Sequence, residues 1–147
     1  MVNSRTFTYV VTDQDSVRAI TRSPEFSVYK PPVMASARLM EVCEWFAMEM
    51  LREDLRADEC SLGAWQHISH CGPIPIGARL TIVVECDSRR GSYSEWQVAV
   101  HDDHEEVCRA RLGFVVVNQD EFTRTKVFSK VTPSGTTTTV LVPDHAG

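Results

Sequence analysis

One segment limits the folds open to this chain more than any other. Ser36–Arg52 is the single long stretch with a helical period, and the residues after it alternate in twos. At about 100° per residue, Leu39, Met40, Val42, Cys43, Phe46, Ala47, Met50 and Leu51 fill one broad arc. Arg38, Glu41, Glu49 and Arg52 gather on the opposite arc, with Trp45 among them. Glu44 is out of place. Its angular neighbours are Leu51, Ala37, Met48 and Met40. Burying a carboxylate there costs several kcal/mol unless it is paired or protonated. A carboxyl kept in such a position often handles protons. The alternative reading is a boundary glutamate whose tip reaches water.

The remaining elements follow from period and punctuation. Phe7, Tyr9 and Val11 alternate within residues 6–12, which predicts a strand. Ser23-Pro24-Glu25-Phe26 starts a short helical turn, and Lys30-Pro31-Pro32 forces an extended approach to the long helix. Ser36 is the expected N-cap, although Leu39 spoils a capping box. Strands are expected at 61–71, 79–86, Tyr93–His101 and 107–118. Turns are expected at Gly72-Pro73-Ile74-Pro75, at 87–91 and at Asp102-Asp103-His104.

The order is therefore strand, long helix, four strands. The spacing indicates an antiparallel meander, and the long helix is the only cover available for its apolar face. This is an α+β fold, the hotdog arrangement, with an antiparallel sheet wrapped around one long central helix. One helix cannot protect every apolar position, and Trp45 lies on its outer arc, so a homodimer is expected. Residues 1–130 read as one domain. Residues 131–147 carry a break at Val131-Thr132-Pro133-Ser134-Gly135 and a threonine run. They are expected as a tail, either disordered or a short added strand.

Composition excludes several classes of function. A net charge of −5 with no basic stretch argues against general nucleic-acid binding. No apolar run is long enough to cross a bilayer. Residues 1–5 lack the apolar core of a signal peptide. The five cysteines are odd in number and form no C-x-x-C, which suits a reduced, cytoplasmic setting. His67, His70 and Cys71 are metal-ligand types, but His70 and Cys71 as strand neighbours point to opposite faces. Neither a metal nor a separate cofactor is expected.

Three side chains tied to core-forming elements make the leading site candidate: the hydroxyl of Ser36, the carboxylate of Glu44 and the imidazole of His70. Each has an ordinary explanation. Ser36 suits an N-cap, His70 a strand end bonded to backbone, and Gly63 a place where strands crowd. Trp65 and Trp96 suit packing. The stretch 101–106 suits a solvated hairpin turn. Arg79, Arg89, Arg90, Arg109 and Arg111 read as surface charges that could also meet the phosphates of coenzyme A. The joint occurrence carries the catalytic reading.

The chain resembles the fluoroacetyl-CoA thioesterases and their hotdog relatives over roughly residues 6–128. The segments that carry the resemblance are Ser23-Pro24-Glu25-Phe26, Val33-Met34-Ala35-Ser36, Leu39-Met40, Glu44-Trp45, Ser61-Leu62-Gly63 and His70. It continues weakly through 73–77, from Glu95-Trp96 to Asp102, and to Glu121-Phe122. The spacings from Ser36 to Glu44 and from Gly63 to His70 agree with the family without gaps. The resemblance implies hydrolysis of a short acyl-CoA thioester to free acid and CoA, with coenzyme A as part of the substrate. It implies Ser36, Glu44 and His70 as catalytic residues, Gly63 beside the thioester, Phe26 in an aromatic lid segment, and a site at a dimer interface. Serine stands where the family has threonine. The lid segment has an extra residue near Tyr29-Lys30-Pro31-Pro32, and Phe114 falls where the family carries an arginine. These departures imply a different acyl specificity. A non-hydrolytic acyl-CoA binding module and a hotdog hydratase or dehydratase are the competing expectations.

The chemistry agrees with that role. Thioester cleavage needs a nucleophile, a proton handler and donors for a developing oxyanion. Histidine moves protons near neutral pH. Ser36, at the start of a helix, lies beside free N–H groups and the positive end of the dipole. Eight residues along a helix span about 12 Å, so Ser36 and Glu44 form no direct pair within one chain.

Overall fold

The computed structural model describes residues 3–131. Five strands and one long helix dominate. β1 is Ser4–Val10, followed by a 3-10 turn at Asp13–Asp15 and two short helices, α1 (Val17–Ile20) and α2 (Pro24–Tyr29). The long helix α3 is Ser36–Arg52. Four strands follow: β2 (Glu59–His70), β3 (Arg79–Arg90), β4 (Tyr93–His101) and β5 (Glu106–Asn118). The sheet order is β1-β3-β4-β5-β2, and every neighbouring pair is antiparallel.

The predicted alternation fixes the inner face. Ile82 and Val84 on β3, Trp96, Val98 and Val100 on β4, and Cys108, Ala110, Leu112 and Phe114 on β5 are buried. They meet Leu39, Val42, Cys43, Ala47, Met50 and Leu51 of α3 in one core. A fully buried Leu or Met contributes about 1.5–3 kcal/mol, so this seam anchors the helix to the sheet. Phe46 adds aromatic packing against β1, stacking on Phe7 at 4.6 Å between ring centroids and meeting Tyr9 edge-on at 6.5 Å.

Two local expectations need correction. β3 does not stop at Cys86; it bulges between Cys86 and Ser88 and continues to Arg90. The turn is instead the two-residue loop Gly91-Ser92, with Gly91 at φ 58° in the left-handed region. That geometry needs glycine at the first loop position. After β5 the chain continues in helical turns from α4 (Gln119–Phe122) through Thr123–Val127 to α5 (Phe128–Val131). Asn118 starts them by accepting the Glu121 N–H at 3.0 Å. Of the tail expected at 131–147, Val131 closes α5 and the rest lies outside the described residues.

β2 is an edge strand of twelve residues. Its register against β5 shifts between Gly63 and Trp65, with Ala64 as the extra residue. Gly63 therefore pairs with Phe114, in phase with Gln66 on Leu112, Ile68 on Ala110 and His70 on Cys108. All four face the core side, whereas His67 is exposed opposite Arg111 on the other face.

Candidate active site

The segment before α3 decides where Ser36 lies. Met34 N–H donates to the Ile74 carbonyl, and Ala35 N–H donates to the Asp15 carbonyl, each at 2.8 Å. Val33 also bridges Pro75. Ile74 and Pro75 lie just beyond the end of β2, so this strap brings the start of α3 to the end of β2. There the Ser36 hydroxyl lies 2.9 Å from His70 Nδ1. Ser36 is not the N-cap. Ala35 holds that position, and among the described residues no side chain caps the helix. The serine hydroxyl, free of capping, is spent on the imidazole instead. His70 is half-buried, and its Nε2 is buried without a hydrogen-bond partner among the described residues.

Glu44 lies two turns further along α3 and is half-buried. A methyl group placed on Gly63 would come within 2.6 Å of Glu44 Oε1. Only hydrogen at position 63 leaves room for the carboxylate. Glu44 and Gly63 line a cavity of about 210 Å³ with Met40, Gln66, Leu112 and Phe114. Phe114 is fully buried at its floor.

The chain thus builds two pairs: Ser36 with His70, and Glu44 with Gly63. It does not unite them. The pairs are about 12 Å apart along α3 and about 20 Å apart along β2. Phe26 stands apart from both, on α2 and 63% exposed. Among the described residues, no group of three or more His, Cys, Asp or Glu is placed to hold a metal ion. Among the described residues, likewise, no helix is long and apolar enough to cross a membrane.

Sequence reasoning missed Asp15 and misplaced Arg38. Asp15 is fully buried. Its carboxylate accepts from the Tyr9 hydroxyl at 2.8 Å, the Thr12 N–H at 2.9 Å and Arg38 Nε at 3.0 Å. Arg38, assigned to the outer arc of α3, turns back to make this bond. Burial is the largest single influence on the Asp15 carboxyl and pushes its pKa up. Donation from Thr12, Tyr9 and Arg38, with the charge of Arg38, outweighs burial and holds it below the usual carboxylate range. An acidic residue in an irregular stretch gave no signal that separates it from a solvated loop.

A twisted antiparallel sheet in order β1-β3-β4-β5-β2, closed by one helix across its inner face, defines a hotdog protein. A hotdog-like protein from Thermanaerovibrio acidaminovorans superposes with a TM-score of 0.77 at 22% identity, over 89% of this chain and 92% of the other. Residues 11–120 match a family described as fluoroacetyl-CoA-specific thioesterase. The fluoroacetyl-CoA thioesterase of Streptantibioticus cattleyicolor is 30% identical over 131 residues, 88% of this chain and 92% of that protein. A mutant of a fluoroacetyl-CoA-specific thioesterase, solved with fluoroacetate and CoA, superposes with a TM-score of 0.77 at 27% identity, over 83% of this chain and 98% of the other. The chain belongs to the fluoroacetyl-CoA thioesterase family.

Proposed function

We propose that the chain hydrolyses a small acyl-CoA thioester at a site completed by two subunits. The observation that carries this reading is the 2.9 Å contact between Ser36 Oγ and His70 Nδ1 at the start of α3. The hydroxyl attacks the thioester carbonyl and the imidazole takes its proton. The first-turn N–H groups of α3 have no partner inside the helix and stabilise the oxyanion. CoA leaves as the thiol with that proton. Water then attacks the acyl-serine carbonyl while the Glu44 carboxylate orients it and takes its proton; the ester C–O bond breaks, that proton passes to the serine oxygen, and the free acid leaves. No separate cofactor takes part. The floor made by Phe114 restricts the acyl group to a short one.

Assembly supplies what one chain lacks. Among the described residues, the outer edge of β2, twelve residues long, has no strand against it, and long unpaired edges recruit another strand. Met40, Trp45, Leu62 and Trp65 are each between 37% and 48% exposed around it. Antiparallel pairing of two β2 edges about a two-fold axis at His67 sets Gln66 against the partner's Ile68. Beyond the Ala64 bulge it sets Gly63 against the partner's His70. Glu44 of one subunit then faces the partner's Ser36. A homodimer is therefore part of the proposal, as is a reduced cytoplasmic setting, supported by five free cysteines.

The test is complementation between inactive subunits. Ser36→Ala and Glu44→Gln are each expected to lower thiol release from short acyl-CoAs to a small residual rate. Mixed and reassembled one to one, they regain about a quarter of wild-type activity, because half the dimers are hybrids with one intact site each. No recovery rejects the shared site. Tight acyl-CoA binding without turnover, or water addition to an enoyl thioester, rejects hydrolysis.

A further inference from the structure

Ser36 makes no capping bond, so something else must fix the first turn of α3. We propose that Asp15, with Arg38 and Tyr9, is the positioning residue that holds Ser36 against His70. This rests on the reading in which Ser36 and His70 act on the thioester. Asp15 grips the start of α3 on both sides of Ser36. Its carbonyl accepts from the N–H of Ala35, one residue before, at 2.8 Å. Its carboxylate accepts from Arg38 Nε and Nη2, two residues after, at 3.0 Å each. The Tyr9 hydroxyl reaches both carboxylate oxygens, at 2.8 and 2.9 Å, and ties the cluster to β1. Across the helix start, the bond from Met34 to Ile74 ties the same backbone to the segment that leaves His70. Ser36 is thus clamped between a strap from Asp15 and a strap continuing from its own hydrogen-bond partner.

Fold stability alone does not call for this arrangement. A buried ion pair is weak evidence for stability, since apolar residues of similar volume do as well or better. A carboxylate with several donors in fixed directions does supply orientation. Glu41, one turn along, also pairs with Arg38. Asp15 is fully buried behind the helix and touches no substrate, so its influence passes through Ser36.

The test uses full-length Asp15→Asn, Arg38→Met and Arg38→Lys. The first two are expected to lower kcat by about tenfold or more with KM within about twofold, because a small misplacement of the attacking atom is felt in the chemical step. Arg38→Lys recovers part of that loss. In a Ser36→Ala background, Asp15→Asn changes the residual rate by less than about twofold, the signature of two residues acting as one unit. An equal loss in both backgrounds, or an unchanged kcat, overturns the proposal. A second readout needs no turnover. The ring nitrogen resonances of His70 are expected to shift alike in Asp15→Asn and Ser36→Ala, although Asp15 does not touch the ring. Unmoved resonances in Asp15→Asn overturn the proposal even if no acyl-CoA is hydrolysed, and wild type that releases no thiol overturns only the thioesterase reading. Should Asp15→Asn fail to fold, Tyr9→Phe removes one donor and gives the same comparison.

Discussion

The two ends of the seam between α3 and β2 are built on opposite plans. At the Ser36 end, backbone straps from Asp15 and Ile74 hold the helix start, and the serine hydroxyl already meets His70. At the Glu44 end the carboxylate rests beside a bare glycine, and its neighbours Trp45 and Met40 are 48% and 37% exposed. The first end is over-determined by its own chain. The second is open and waits for a surface from elsewhere. Preorganisation is where catalysis gains most, and the proposed mechanism accordingly puts the attacking group at the closed end. The open end can be supplied by association.

The largest effect that would break this contrast comes from the closed end. Ser36→Ala and His70→Ala are each expected to lower kcat by about a hundredfold or more, with circular dichroism unchanged. A mild loss would mean that the closed end is not the reacting one. Next comes Gly63→Ala at the open end. Its added methyl meets the flexible tip of Glu44 rather than backbone, so the carboxylate moves and the fold survives. A drop in kcat of about tenfold is expected with little change in melting temperature; a large fall in melting temperature would instead make Gly63 a folding residue. A smaller effect lies in the pH dependence of stability. The Asp15 carboxyl is held below its unfolded value of about 3.9. Its contribution is therefore present above that value and lost as pH falls through the folded value. Urea midpoints should be flat above about pH 5 and decline below about pH 4, and Asp15→Asn should flatten that decline. The smallest effect is at the surface. Arg5 bonds Glu53 at 2.8 Å, both side chains being well exposed. Arg5→Gln should leave activity and melting temperature within error, because solvent screens such pairs.

Period made most of the fold legible. The helix runs from Ser36 to Arg52 as its apolar arc implies, and Trp96, Val98 and Val100 face the core as their alternation implies. These patterns are local, and each residue repeats the same message. The misses are places where one distant partner decides. Arg38 looked solvated because its wheel position faces outward, yet Asp15, 23 residues earlier, draws it in. Ser36 looked like a cap because serine before an apolar run usually is one, yet His70 takes its hydroxyl. The strand beyond Cys86 was hidden by Asp87-Ser88-Arg89-Arg90, a polar run that reads as a loop. It stays extended by pairing with β4 through Ser88 on Glu95, Arg89 on Ser94 and Arg90 on Tyr93, and Arg89 also meets Asp54 at 2.8 Å and lies over the Trp96 ring. Ser36, Glu44 and His70 stood out in the sequence as one set of candidates, whereas the fold places Ser36 with His70 and Glu44 with Gly63.

The extra residue at Ala64 has a consequence for how such a protein can change. It works as a phase shifter. Everything from Trp65 to His70 keeps the parity that aims the imidazole inward, whatever happens upstream. On the proposed mechanism, residues 59–63 can therefore be retuned to a new acyl group while the His70 end stays in step. Deleting Ala64 would restore a continuous ladder with Gly63 and His70 still on one face, but it would remove the bulge that lets the two halves vary separately.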